Sequence, residues 1–234
     1  MVMRLIVAVA LVSTSGMALA AGSYRKTDTG IVVTPDQGPE KAVRLQVYGE
    51  DIIRVTAVPD GDLDLPPSLM VVARPETRGF AVTEGPGTVT LATEKVRATV
   101  NLSDGNVSFT DAGGQLDLAE SAPGSFAPVT VEGRDYLATR QQFNRGTDEG
   151  LYGLGQHQNR QMNYAGEDVE LAQHNMAIVV PYLLSTRGYG ILWDNASITR
   201  VGDPEAYEKL RAGWKADYYL GDRLAFSRPE ETID

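Results

Sequence analysis

The chain has 234 residues, is 42% hydrophobic, contains no cysteine and carries a formal net charge of −10 at pH 7. That acidity argues against nucleic acid and anionic lipid surfaces as partners. Without cysteine there are no disulfides and no thiolate metal sites, and two histidines seventeen residues apart, His157 and His174, give no basis for expecting a metal or a cofactor.

Residues 1–20, MVMRLIVAVALVSTSGMALA, combine one positive charge (Arg4), an apolar run from Leu5 to Val12 and small residues at Ala18 and Ala20. This pattern predicts a secretory signal too short to span a membrane, cleaved before Ala21. The mature chain is then expected to be exported, to carry −11 and to make no membrane insertion. Period-two apolar alternation follows. It predicts strands at Ala42–Tyr48 and Ile52–Val58, joined by Gly49-Glu50-Asp51, and then at Thr88–Thr93, Val96–Leu102 and Asn106–Thr110. The Ser103-Asp104-Gly105 and Asp111-Ala112-Gly113-Gly114 turns supply the positive φ angles that hairpins need. Between Val58 and Thr88, Gly61–Pro75 is rich in proline and leucine without periodicity and reads as a loop over the sandwich edge. Many short strands with tight turns predict an all-β, antiparallel sandwich.

Gly150–Asn175, GLYGLGQHQNRQMNYAGEDVELAQHN, is the densest patch of amides and aromatics. It precedes a predicted strand pair, IVVPYLLSTRGYGILWDN. A polar loop held between rigid strands suits recognition of uncharged polyhydroxyl ligands; the alternative is an ordinary connection whose amides satisfy one another. Gln156 and His157 follow Gly153 and Gly155, where a sharp turn can project a polar pair out of the sheet. They either bond sugar hydroxyls or staple the loop. Tyr164 lies in the loop and is the favoured stacking contact, whereas Tyr182 and Trp193 fall in strands where core packing is expected. Asp168 and Glu170 alternate around Val169 and share a face if extended, without a second carboxylate fixed opposite them; no residue is therefore assigned a catalytic role. Beyond this loop, Pro204–Leu210 is the one helical candidate, with Asp203 as N-cap. Ala216–Leu220 is expected to be an unpaired strand edge.

Leu151-Tyr152-Gly153-Leu154-Gly155-Gln156-His157, Gln161-Met162-Asn163-Tyr164, Gly166–Leu171 and Tyr189-Gly190-Ile191-Leu192-Trp193-Asp194-Asn195 resemble, in order, the N-terminal β-sandwich of glycoside hydrolase family 31, most of all its α-xylosidase branch. The resemblance implies a galactose-mutarotase-like sandwich at residues 21–211 that packs on a (β/α)8 barrel carrying both catalytic carboxylates. Such a barrel needs about 250 residues, and the family's nucleophile motif, an aspartate after a short apolar strand flanked by Trp and Met, is absent from the sequence. Residues 212–234 resemble either the opening of a sugar-binding insert or the connector to the barrel, an incomplete C-terminal β segment in both cases. By position, Gln173, His174 and Asn175 match the tip of the loop that reaches the substrate rim in the family. Together with Gln156, His157 and Tyr164 they form the implied substrate-binding set, the substrate being a xyloglucan-type oligosaccharide held jointly with the barrel. The alternatives are a stand-alone carbohydrate-binding sandwich and a mutarotase-like epimerase in which a histidine and a carboxylate act as acid and base.

Overall fold

The computed structural model describes residues 22–158, 160–202, 215–220 and 223–229. The expected signal segment at 1–20 and the expected helix at 204–210 lie outside the described residues. Strands β1 (Ser23–Thr27), β2 (Gly30–Thr34), β3 (Ala42–Gly49) and β4 (Ile52–Val58) form one antiparallel sheet in that order. Strands β5 (Ala81–Gly85), β6 (Thr88–Ala92), β7 (Val96–Asn101), β8 (Val107–Asp111), β9 (Leu116–Val131) and β10 (Arg134–Phe143) form a second, six-stranded meander. The five strands read from alternation reappear within a residue or so of their expected ends.

The alternation has the consequence that period two dictates. Val43, Leu45 and Val47 of β3, with Ile31 and Val33 of β2, pack against Val89, Leu91, Ala98, Val100 and Val107 of the six-stranded sheet. Fully burying each of the larger side chains is worth about 1.5–3 kcal/mol, so this layer is the stabilising centre of the sandwich. The intervening residues Arg44, Gln46 and Tyr48 face outward and are half-buried. Residues 61–75 form no strand and cross that outer face, where Leu63 packs on Val32, Ala42 and Val58 and its carbonyl accepts a hydrogen bond from Arg44.

A second, smaller module follows. Strands β11 (Leu151–Gln156), β13 (Ile178–Ser185) and β14 (Gly190–Leu192) form a three-stranded sheet, with β12 (Val169–Leu171) paired to β15 (Thr199–Val201) beside it. Glu149 is buried just before β11 and closes this module. Its carboxylate accepts hydrogen bonds from the Ser185 and Tyr189 hydroxyls, both at 2.5 Å, and from the Gly146 amide at 2.8 Å. Burial alone would raise its pKa, but these three donors hold it below the ordinary carboxylate value.

Two expectations are corrected here. Tyr182 is not a core residue: it shares the outer face of β13 with Ile178, Val180 and Leu184, and with Leu192 of β14, each 43–53% exposed. Trp193 is half-buried just past the end of β14 rather than within a strand. The expected edge at Ala216–Leu220 falls in β16 (Lys215–Leu220), which pairs along one side with β17 (Arg223–Pro229) in an antiparallel hairpin and along the other with no strand among the described residues. Among the described residues, no helix is long and apolar enough to cross a membrane.

Candidate functional site

The glycines of Gly153-Leu154-Gly155 build the loop that follows. All three residues have positive φ, 104°, 63° and 104°, and the β11–β13 register shifts between Gly153 and Gly155. A Cβ at Gly153 would lie 2.4 Å from the Tyr182 carbonyl oxygen, and one at Gly155 would lie 2.0 Å from that of Ile178. Only glycine permits this close approach. The resulting bulge turns Leu154 into the small core with Tyr164, Val169 and Leu171, where it is 1% exposed.

The loop is then strapped to that core. Tyr164 donates its amide to the Leu151 carbonyl at 2.7 Å, and the Asn163 side-chain oxygen accepts from the amides of Leu151 and Ala165. Tyr164 is only 6% exposed, so it supports the loop from beneath instead of offering a stacking face. His157 is half-buried, its Nε2 3.0 Å from the Leu154 carbonyl oxygen and its ring edge-on to Tyr164 at 6.2 Å. Gln173 is also committed internally: its Nε2 donates to the Ala177 carbonyl, and its Oε1 accepts from the Val179 amide. Gln156 is exposed at the end of β11.

An open cleft of about 380 Å³ brings together His157, His174 and Asn175 with Asp168, Glu170 and Met176. Of the six expected contacts it gathers these three; Gln156, Tyr164 and Gln173 do not line it. His174 and Asn175 are exposed at the loop tip, beside the β-bridge between His174 and Ala177, and Met176 adopts a φ of 71°. Asp168 and Glu170 do share a face. Both are held by Arg200 of β15, at 3.1 and 2.9 Å. Such partly exposed pairs contribute about 0–1 kcal/mol each and mainly fix geometry. A retaining glycosidase sets two carboxylates about 5–5.5 Å apart on either side of the scissile bond. Here the two acids of the cleft lie side by side on one strand edge and are tied to one guanidinium. The arrangement can present hydrogen-bond donors and acceptors; it does not provide an opposed acid and nucleophile. Sequence reasoning missed Met176 and Gln158 in this cleft, and Arg200, which pairs with its two acids, because strand pairing and a tight turn bring them there and no local pattern signals either.

Residues 42–201 match the family described as Glycosyl hydrolase 31 N-terminal galactose mutarotase-like domain. The chain belongs to this family. Similar solved structures of the family include the α-xylosidase of Xanthomonas citri, 43% identical with a TM-score of 0.75 over 88% of this chain and 24% of that one. A soil-metagenome α-xylosidase solved with xylose is 27% identical, with a TM-score of 0.65 over 77% of this chain and 29% of that one. The α-xylosidase of Saccharolobus solfataricus is 28% identical over 200 residues, which make up 78% of this chain and 26% of that protein. This chain therefore spans about a quarter of the length of these relatives.

Proposed function

We propose that this chain is the N-terminal, non-catalytic portion of an exported α-xylosidase-like hydrolase of family 31 that acts on xyloglucan-type oligosaccharides. It supports a catalytic barrel and lends the tip of the 173–177 loop to the substrate rim. The observation that carries the reading is the exposed pair His174 and Asn175 at the mouth of the polar cleft, on a scaffold 43% identical to a solved α-xylosidase. Rigid strands with a polar loop tip suit the binding of sugar hydroxyls. The outer face of β13 and β14 supplies an apolar surface of the kind that larger partners cover. The reading is tested by replacing the matching part of the Xanthomonas enzyme with this chain and measuring α-xyloside hydrolysis. His174→Ala with Asn175→Ala should raise KM about three- to twelve-fold, the equivalent of one uncharged hydrogen bond, while kcat stays within about twofold. An unchanged KM in an active chimera would remove the loop tip from the substrate rim.

A further inference from the structure

We propose that the cleft between the outer face of β3–β4 and the 61–75 segment binds a carboxylate-bearing saccharide, a uronate, with Arg44 as its anion anchor. This site shares no lining residue with the cleft of His157 and His174. Its volume of about 430 Å³ lies within the roughly 300–1,000 Å³ of small-molecule sites.

The floor is polar because β3 and β4 point alternate side chains outward. Arg44 and Gln46 are two residues apart on β3, and Gln46 pairs in register with Arg54 on β4. The walls are apolar, made by Leu65, Pro66, Pro67 and Leu69, which suit the C–H faces of a sugar ring. The roof is pre-formed: the Ser68 hydroxyl donates to Asp194 at 2.7 Å and accepts from the Met70 and Val71 amides.

Charge selects the ligand. The cleft holds two guanidiniums and one carboxylate, and that carboxylate, Asp194, is engaged by Arg54 at 2.7 Å and by Ser68. Arg44 has no carboxylate partner among the described residues. Its Nη1 donates to the Leu63 carbonyl at 3.1 Å, while its Nε is buried without a hydrogen bond. Burial first, and repulsion from Arg54 second, lower its pKa, the signature of a guanidinium whose charge is poorly compensated. One uncompensated positive charge matches a monoanion, and a guanidinium binds carboxylates in a fork. The Gln46 side chain, which donates to Thr29 at 3.2 Å, keeps its amide oxygen available for a sugar hydroxyl.

The test is calorimetric titration of the purified chain with glucuronate, xylose and inorganic phosphate at fixed ionic strength. Glucuronate should bind more tightly than either of the others. Arg44→Gln should weaken it about tenfold or more, as expected for loss of a charge-assisted contact, and Arg44→Lys, which keeps the charge but not the fork, by less. Circular dichroism checks that each variant folds, and the lysine variant decides the matter if the glutamine variant does not. Equal binding of xylose, equal binding of phosphate, no binding of glucuronate, or glucuronate binding indifferent to both substitutions would each overturn the proposal.

Discussion

His157 Nε2 lies 3.0 Å from the carbonyl oxygen of Leu154, three residues back in its own chain. The imidazole thus clamps the exit of the Gly153–Gly155 bulge while its ring edge meets Tyr164. Of the two roles open to His157, the geometry supports the staple; the proposed function assigns sugar contact to the loop tip. His157→Ala should cost about 0.5–1.5 kcal/mol of local stability and speed amide hydrogen exchange at Tyr164 and Glu167. Gln156→Ala should leave exchange there unchanged. Equal exchange in the wild type and the histidine variant would mean that the bond holds nothing in place.

Glycine at the bulge is required by sterics, whereas glycine at the neighbouring turn is required only by φ. Gly155→Ala sets a Cβ 2.0 Å from a backbone oxygen at φ +104°, but Gly166→Ala at φ +85° meets nothing within 4 Å. Denaturant unfolding should show a loss of about 3 kcal/mol or more for Gly155→Ala and about 1 kcal/mol for Gly166→Ala. Similar losses at both positions would contradict the close approach of β11 to β13.

Glu120, on β9, makes stability depend on pH. Burial first, then the neighbouring carboxylates of Glu40 and Asp104, raise its pKa from 4.5 to about 8, although the Val107 amide donates to it. Glu40, buried and bonded to the Gly124 amide, is raised as well. A folded-state pKa above the unfolded value means that the native state binds the extra proton. The stabilisation is complete below about pH 4.5 and declines as pH rises through about 8, by at most about 1.4 kcal/mol per pH unit for one group. Melting temperatures between pH 5 and 9 should fall, and Glu120→Gln, which resembles the protonated form, should flatten the decline. A wild-type profile already flat across this range would refute the assignment.

Glu149 has the opposite sign. Its folded pKa is depressed, so its contribution is present above about pH 4.5 and fades as pH falls through the lower folded value. Glu149→Gln should cost about 1–3 kcal/mol at pH 7 through weakened bonds from Ser185 and Tyr189. That penalty should shrink in acid. A penalty that is constant from pH 7 to pH 3 would indicate a steric rather than an ionic role.

The apolar outer face of β13 and β14 should make the isolated chain self-associate, the more so at about 0.5 M salt, where its negative charge is screened. Val180→Ser with Leu184→Ser should reduce association, as read by light scattering, without lowering the melting temperature by more than a few degrees. A wild-type monomer at both low and high salt would show that this face needs no cover.

Legibility in the sequence followed the strength of local pattern. Strands β3, β4, β6, β7 and β8 announce themselves through alternation and Asp-Gly or Gly-Gly turns. Strand β9 does not: LDLAESAPGSFAPVTV has no steady alternation and contains prolines, and it is held in the sheet by long pairing with β10 interrupted by register shifts. The loop was legible as a polar element but not in its orientation. Whether Tyr164 points inward depends on the space made by Leu154, and whether Tyr182 faces the core depends on which side of β13 the rest of the chain covers. Period two fixes which residues share a face; it cannot say which face is buried.

In the proposed function this sandwich serves a glycosidase without performing the bond cleavage itself. The direct measurement is release of xylose from an α-xyloside by the purified chain, compared with a chimera in which this chain replaces the matching quarter of the Xanthomonas citri α-xylosidase. The chain alone should release no more than a mock preparation, and the chimera should hydrolyse the substrate. Hydrolysis by the chain alone, or a folded chimera without activity, would contradict that role.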